Sequence, residues 1–143
     1  MGFKFEQLEV WKRSLEYIDL IYEIAEQLPA SERTNLQSQL KRAATSVALN
    51  IAEGSTGQTD AEQARFLGLA IRSLLETVAC QHIVARRNLL PDPAPLRKAY
   101  TEAQTLSAML HAFRKRIAPT QSWLREAGPG YSVTDTDSTE DLS

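Results

Sequence analysis

Apolar residues return at three- and four-residue steps through four segments of this chain. Nowhere do they alternate with polar residues as a half-buried strand requires. That pattern confines the chain to helices with one greasy face each, and such helices are stable only when they pack on one another. The first segment runs from about Glu6 to Leu28, and Leu8, Trp11, Leu15, Ile18, Tyr22 and Ala25 are its expected inner face. Pro29 closes it. The second runs from about Glu32 to Glu53, with Ser31 as N-cap and Gly54 placed for a left-handed C-terminal residue. The third opens on the capping box Thr59-Asp60-Ala61-Glu62 and continues to about Asn88. Phe66, Leu69, Ala70, Leu74, Thr77 and Gln81 trace its inner line, and Ala61, Ala64 and Gly68 form a strip of small residues. Pro91, Pro93 and Pro95 end that helix and start a fourth, which stops before Pro119. Its apolar face is Leu96, Ala99, Tyr100, Ala103, Leu106, Leu110, Phe113 and Ile117.

Short connections between four such helices predict an all-α fold, an antiparallel up-down four-helix bundle over residues 1–127. Residues 120–127, with Trp123 and Leu124, are read as a docking turn. Residues 128–143 read as a disordered acidic tail, too poor in apolar surface to offset the entropy of ordering. A chain of 143 residues buries enough surface to need neither disulfide nor metal. Its one cysteine, Cys80, has no partner, which points to a reducing compartment. Residues 1–10 carry Lys4, Glu6 and Glu9 instead of the apolar run of a signal peptide, and the longest apolar-looking stretch, Ala43–Ala52, is too short to span a bilayer. A cytoplasmic protein without a membrane partner is therefore expected.

The second helix is the most informative. Leu36, Leu40, Ala43, Val47 and Ile51 make its core stripe, and Ala44, Ala48 and Ala52 widen it. Arg42, Ser46, Leu49 and Glu53 lie on the far side, with Asn50 between. From Ala43 to Ala52 the helix is uncharged all round, as in helices buried on more than one side. In so small a bundle the second buried face suggests a subunit interface. Alanine's preference for helix is the plainer explanation. Asn50 and Glu53 read either as polar residues near the helix end or as a network with Arg72, Ser73 or Glu76 of the third helix.

Residues Gln39-Leu40-Lys41-Arg42-Ala43-Ala44-Thr45-Ser46-Val47-Ala48-Leu49-Asn50-Ile51-Ala52-Glu53-Gly54 resemble the signature of the 23S ribosomal RNA intervening-sequence protein family. Phe5, Leu8 and Trp11 match its opening, and Phe66 through Glu76 its third-helix pattern, so the resemblance spans about residues 3–90. It implies a four-helix fold and a homopentameric assembly. Some members are encoded within inserts in large-subunit ribosomal RNA genes. Similar proteins serve diversity-generating retroelements, where they associate with a reverse transcriptase and bind nucleic acid. Ala48 stands where many relatives have proline, and the acidic tail is outside the pattern.

Catalytic and metal chemistry find little support. A di-iron bundle needs Glu three residues before each histidine, but Ala79 precedes His82 and Ala108 precedes His111. One cysteine and two separated histidines make no zinc site, and no glycine-rich phosphate loop is present. No cofactor is expected, and the chain reads as a non-enzyme. A hydrolase using Glu53 and Glu76 is kept only as a foil. Charge points to a partner more clearly. The net charge is −2, but Asp135, Asp137, Glu140 and Asp141 of the tail leave residues 1–130 at +2. The fourth helix carries Arg97, Lys98, Arg114, Lys115 and Arg116 against Glu102 alone, and Arg86 and Arg87 precede it. These seven cations are either a solvated face or a rim for RNA or DNA phosphates. The expected function is a homo-oligomeric scaffold associating with nucleic acid, or alternatively a protein-interaction adaptor, for instance for a reverse transcriptase.

Overall fold

A computed structural model of the protein describes residues 2–56 and 59–119. The expectations for the docking turn and the acidic tail lie outside the described residues. Four helices make up the fold: α1 Glu9–Glu26, α2 Leu36–Gly54, α3 Asp60–Arg86 and α4 Ala94–Ile117. Short 3-10 turns at Lys4–Gln7 and Ala30–Glu32 precede α1 and α2, and no strand occurs among the described residues. Each helix packs on its chain neighbour, and α1 closes the square against α4. Neighbours run antiparallel. Ser46 of α2 meets Ser73 of α3, whereas Gly54, further along α2, lies against Phe66, further back on α3. Likewise His82 and Tyr100 pair at one end of α3 and α4, and Gly68 and Arg114 at the other.

The core is built from the stripes of α2 and α4 as expected, including fully buried Leu40, Val47, Ile51, Leu106 and Leu110. On α1 the expected face is corrected. Val10, Ser14, Tyr17, Ile21 and Ile24 point inward, while Leu15 and Tyr22 are exposed and Trp11 and Ile18 half-buried. Ser14 makes this possible because its hydroxyl donates to the Trp11 carbonyl at 2.6 Å, so a polar residue in the core stripe leaves no unpaired group.

Several boundaries are also set differently from expectation. The N-cap position of α2 is Asn35, not Ser31, which lies in the preceding 3-10 turn. Thr59 Oγ1 accepts from the Glu62 amide at 3.0 Å, but the Glu62 carboxylate turns to Arg65 at 2.8 Å instead of reaching back. Gly54 is the last residue of α2 and is not left-handed. Its role is close approach, since a Cβ there would sit 2.9 Å from Phe66 Cβ. The left-handed residue is Asn88, at φ 53°. There the Leu89 amide donates to the Val84 carbonyl and the Asn88 amide to the Ala85 carbonyl, both at 3.1 Å, which closes α3 with a Schellman motif.

A polar chain crosses the middle of the core on the diagonal from α1 to α3. Tyr17 Oη lies 2.7 Å from Thr77 Oγ1, and Gln81 Nε2 lies 2.8 Å from Tyr17 Oη. Thr77 Oγ1 donates its only proton to the Leu74 carbonyl at 2.6 Å, so it must accept from Tyr17, which in turn accepts from Gln81. By length and composition α3 is apolar enough to cross a bilayer, unlike Ala43–Ala52, and it is also a core helix of the bundle.

Candidate functional site

The outer surface where α1 and α2 meet is unusual for a small bundle. Along α2, Thr45, Leu49 and Ala52 follow at helical steps, and Leu49 is 59% exposed in mid-helix. Along α1, Trp11, Leu15, Ile18 and Tyr22 make a parallel strip, with Phe5 packed edge-on against Trp11 at 4.6 Å. Lys41 ties the two helices: its Nζ sits 5.0 Å from the Tyr22 ring centroid and 3.7 Å from the Glu26 carboxylate. The α2 stretch from Ala43 to Ala52 divides accordingly. Ala43, Ala44, Val47, Ala48 and Ile51 serve the bundle's own core, and Leu49 is left facing out.

On the other flank of α2 the structure brings together Ser46, Asn50 and Ser73. Asn50 Nδ2 donates to the Ser46 carbonyl at 2.8 Å and lies 3.0 Å from Ser46 Oγ. Ser73 Oγ bridges from α3 to Ser46 Oγ at 2.9 Å. These bonds fix the height of α2 against α3. Arg42, Glu53, Arg72 and Glu76 are exposed around this seam. Glu53 is level with Phe66, so Glu76 lies ten residues, or about 15 Å, further along α3. The two carboxylates do not meet.

The seven cations form no single patch. Arg86, Arg87, Arg97 and Lys98 cluster at the α3–α4 turn, whereas Arg114, Lys115 and Arg116 sit at the far end of α4. Sixteen residues separate Lys98 from Arg114, about 24 Å of helix. Arg114 is half-buried, with its guanidinium laid across Gly68 so that a Cβ there would sit 2.8 Å from Nη2. The strip of small residues is therefore covered at Gly68 by a side chain, not by another backbone. Arg116 stacks over the Phe113 ring at 5.3 Å. Lys115 is exposed and suits the negative end of the helix dipole.

Among the described residues no three of His, Cys, Asp or Glu gather as metal ligands. His82 is exposed and set edge-on to Tyr100 at 6.0 Å. Cys80 is buried on α3, and burial, with the Glu76 carboxylate adding to it, pushes its thiol up and keeps it protonated at neutral pH.

The four-helix frame thus leaves Leu15, Tyr22 and Leu49 exposed on the outer sides of α1 and α2. Residues 6–112 match the family model described as the 23S rRNA-intervening sequence protein. The chain belongs to that family. The match covers all of α1, α2 and α3 and most of α4. No curated protein matches the chain. In this family member the uncharged run of α2 points to Leu49, whereas the periodicity of α1 places Leu15 and Tyr22 inside and the structure places them outside. The signal for the outer strip was present, because two apolar periodicities interleave on α1, and only packing decides which one faces inward.

Proposed function

We propose that this family member is a cytoplasmic, non-enzymatic scaffold that works as a homo-oligomer, a ring of five copies, and associates with RNA or DNA. The observation that carries self-association is Leu49, 59% exposed within an uncharged stretch of α2 and flanked by the half-exposed strip of α1. Single exposed leucines are ordinary, but a contiguous apolar face marks a contact surface. Light scattering of the full chain at micromolar concentration tests it: the wild type runs above one chain mass, and Leu49→Glu runs at one. A carboxylate forced into an apolar contact without a partner costs several kcal/mol, enough to part the copies. A wild type that stays monomeric would overturn the reading.

Nucleic-acid association rests on the exposed cations, repeated around the assembly so that weak contacts multiply. One observation favours the adaptor alternative, in which a protein such as a reverse transcriptase is the only partner. The cations divide between the two ends of the bundle, and Arg114 is engaged with α3. Binding to long RNA or duplex DNA at about 50 mM salt separates the two. Retention that weakens steeply with salt supports nucleic acid, and no retention leaves the adaptor.

A further inference from the structure

The bundle leaves two apolar stripes uncovered, and they lie on diagonally opposite helices. The first is Trp11, Leu15, Ile18 and Tyr22 on α1, with Leu15 42% exposed. The second is Leu75, Ala79 and Ile83 on α3, at strict four-residue steps and nearly opposite that helix's buried face. All three are exposed, Leu75 by 48% and Ile83 by 45%. The stripes are about 17 Å and about 12 Å long at 1.5 Å per residue, so one can lie along the other.

Their surroundings carry opposite charge. α1 carries five exposed acids, Glu9, Glu16, Asp19, Glu23 and Glu26, against exposed Lys12 and half-buried Arg13, and Lys41 of α2 pairs with Glu26 beside Tyr22, so the excess around this stripe is acidic. The α3 stripe is bracketed by Arg72, three residues before Leu75, and Arg86, three residues after Ile83, with Glu76 the only acid between them. Two α1 stripes facing each other would set carboxylates against carboxylates, and two α3 stripes would set arginines against arginines. The mixed pairing alone brings unlike signs together.

We infer that copies of this chain pair head-to-tail, the α1 stripe of one copy seating on the α3 stripe of the next. This rests on the self-association proposed above and adds which surfaces meet. Each copy offers one half of the contact on each side, so the pairing continues from copy to copy until it closes as a ring. Lys41 of α2 sits over Tyr22 of the α1 stripe, so α2 with its exposed Leu49 belongs to the same half.

Complementation between two one-sided variants tests the pairing. Leu15→Glu spoils the α1 half and Leu75→Glu the α3 half. Both positions are exposed in the bundle, so circular dichroism should match the wild type. Each variant alone should lose the assembly. Mixed in equal amounts at about 100 µM, high enough to populate a contact of only micromolar strength, they should form one intact contact and stop there. The product is a heterodimer of twice the 16.0 kDa chain mass. An assembled wild type whose variants stay monomeric on mixing overturns the head-to-tail pairing. So does a Leu75→Glu variant that assembles as the wild type does. A monomeric wild type would instead show that the self-association reading had failed.

Discussion

Removing one hydroxyl tests the polar chain in the core. Tyr17 is 1% exposed, and Tyr17→Phe keeps its ring while deleting the acceptor that Gln81 Nε2 has among the described residues. Thr77 keeps its bond to the Leu74 carbonyl, so the damage falls on Gln81. The Gln81 carbonyl oxygen already has no hydrogen-bond partner among the described residues, so the variant buries an amide with neither end bonded. That should cost about 1–3 kcal/mol at neutral pH, or about 3–10 °C of melting temperature for a chain of this size. Alkali gives a second readout. Burial, with Cys80 adding slightly, pushes the Tyr17 hydroxyl up to about 12 from 10.0 against the lowering effect of its two hydrogen bonds. Below pH 10 the phenol is protonated folded or unfolded, and its contribution is complete. Between pH 10 and 12 the unfolded chain ionises while the folded one does not. Stability then falls by up to about 1.4 kcal/mol per pH unit, or about 2.7 kcal/mol in all. The Phe variant lacks this loss. Urea unfolding at fixed protein concentration should therefore show the wild-type advantage shrinking from about pH 9.5 upward and vanishing or reversing towards pH 12. An advantage that is constant with pH, or absent at pH 8, would refute the reasoning.

Gly54→Ala should cost about 1–3 kcal/mol by urea unfolding, because its Cβ meets Phe66 Cβ at 2.9 Å where two helices already touch. Gly68→Ala should change stability by less than about 1 kcal/mol, since better helix propensity offsets moving the flexible Arg114 guanidinium. Charge reversal of Lys115 and Arg116 should lower both nucleic-acid affinity and the slope of log K against log salt, read by filter binding across a salt series. Protein purified without a metal-affinity tag should carry no stoichiometric iron or zinc by elemental analysis.

Helix α4 was legible almost in full, because its core positions are apolar, its far side is polar and prolines bracket it. The core stripe of α2 was equally plain. Helix α1 misled because its true core stripe contains Ser14 and the hydroxyl of Tyr17, while the competing stripe holds Trp11 and Leu15. A periodicity count favours the greasier stripe. The structure favours the one whose polar atoms find partners: Ser14 bonds within α1, and the partners of Tyr17 lie on α3, 60 residues or more away in sequence. The role of Gly54 is hidden because its constraint comes from Phe66 on the next helix and not from its own backbone angles. Of the proposed contact surface, Leu49 was legible because it lies in an uncharged run. The division of the cations became visible only once α3 and α4 were seen to run antiparallel.

The Tyr17–Thr77–Gln81 chain also acts as a cross-brace between helices that are not neighbours. Tyr17 lies at the middle of the α1 stripe, and Thr77 and Gln81 lie within the span of the α3 stripe. The brace therefore holds the two stripes at equal height on diagonally opposite helices. A head-to-tail contact between surfaces at equal height adds no rise from copy to copy. That is the geometric condition for a chain of subunits to close in a plane instead of climbing into a filament. A bond buried in the core of one copy would thus set the pitch of the whole assembly.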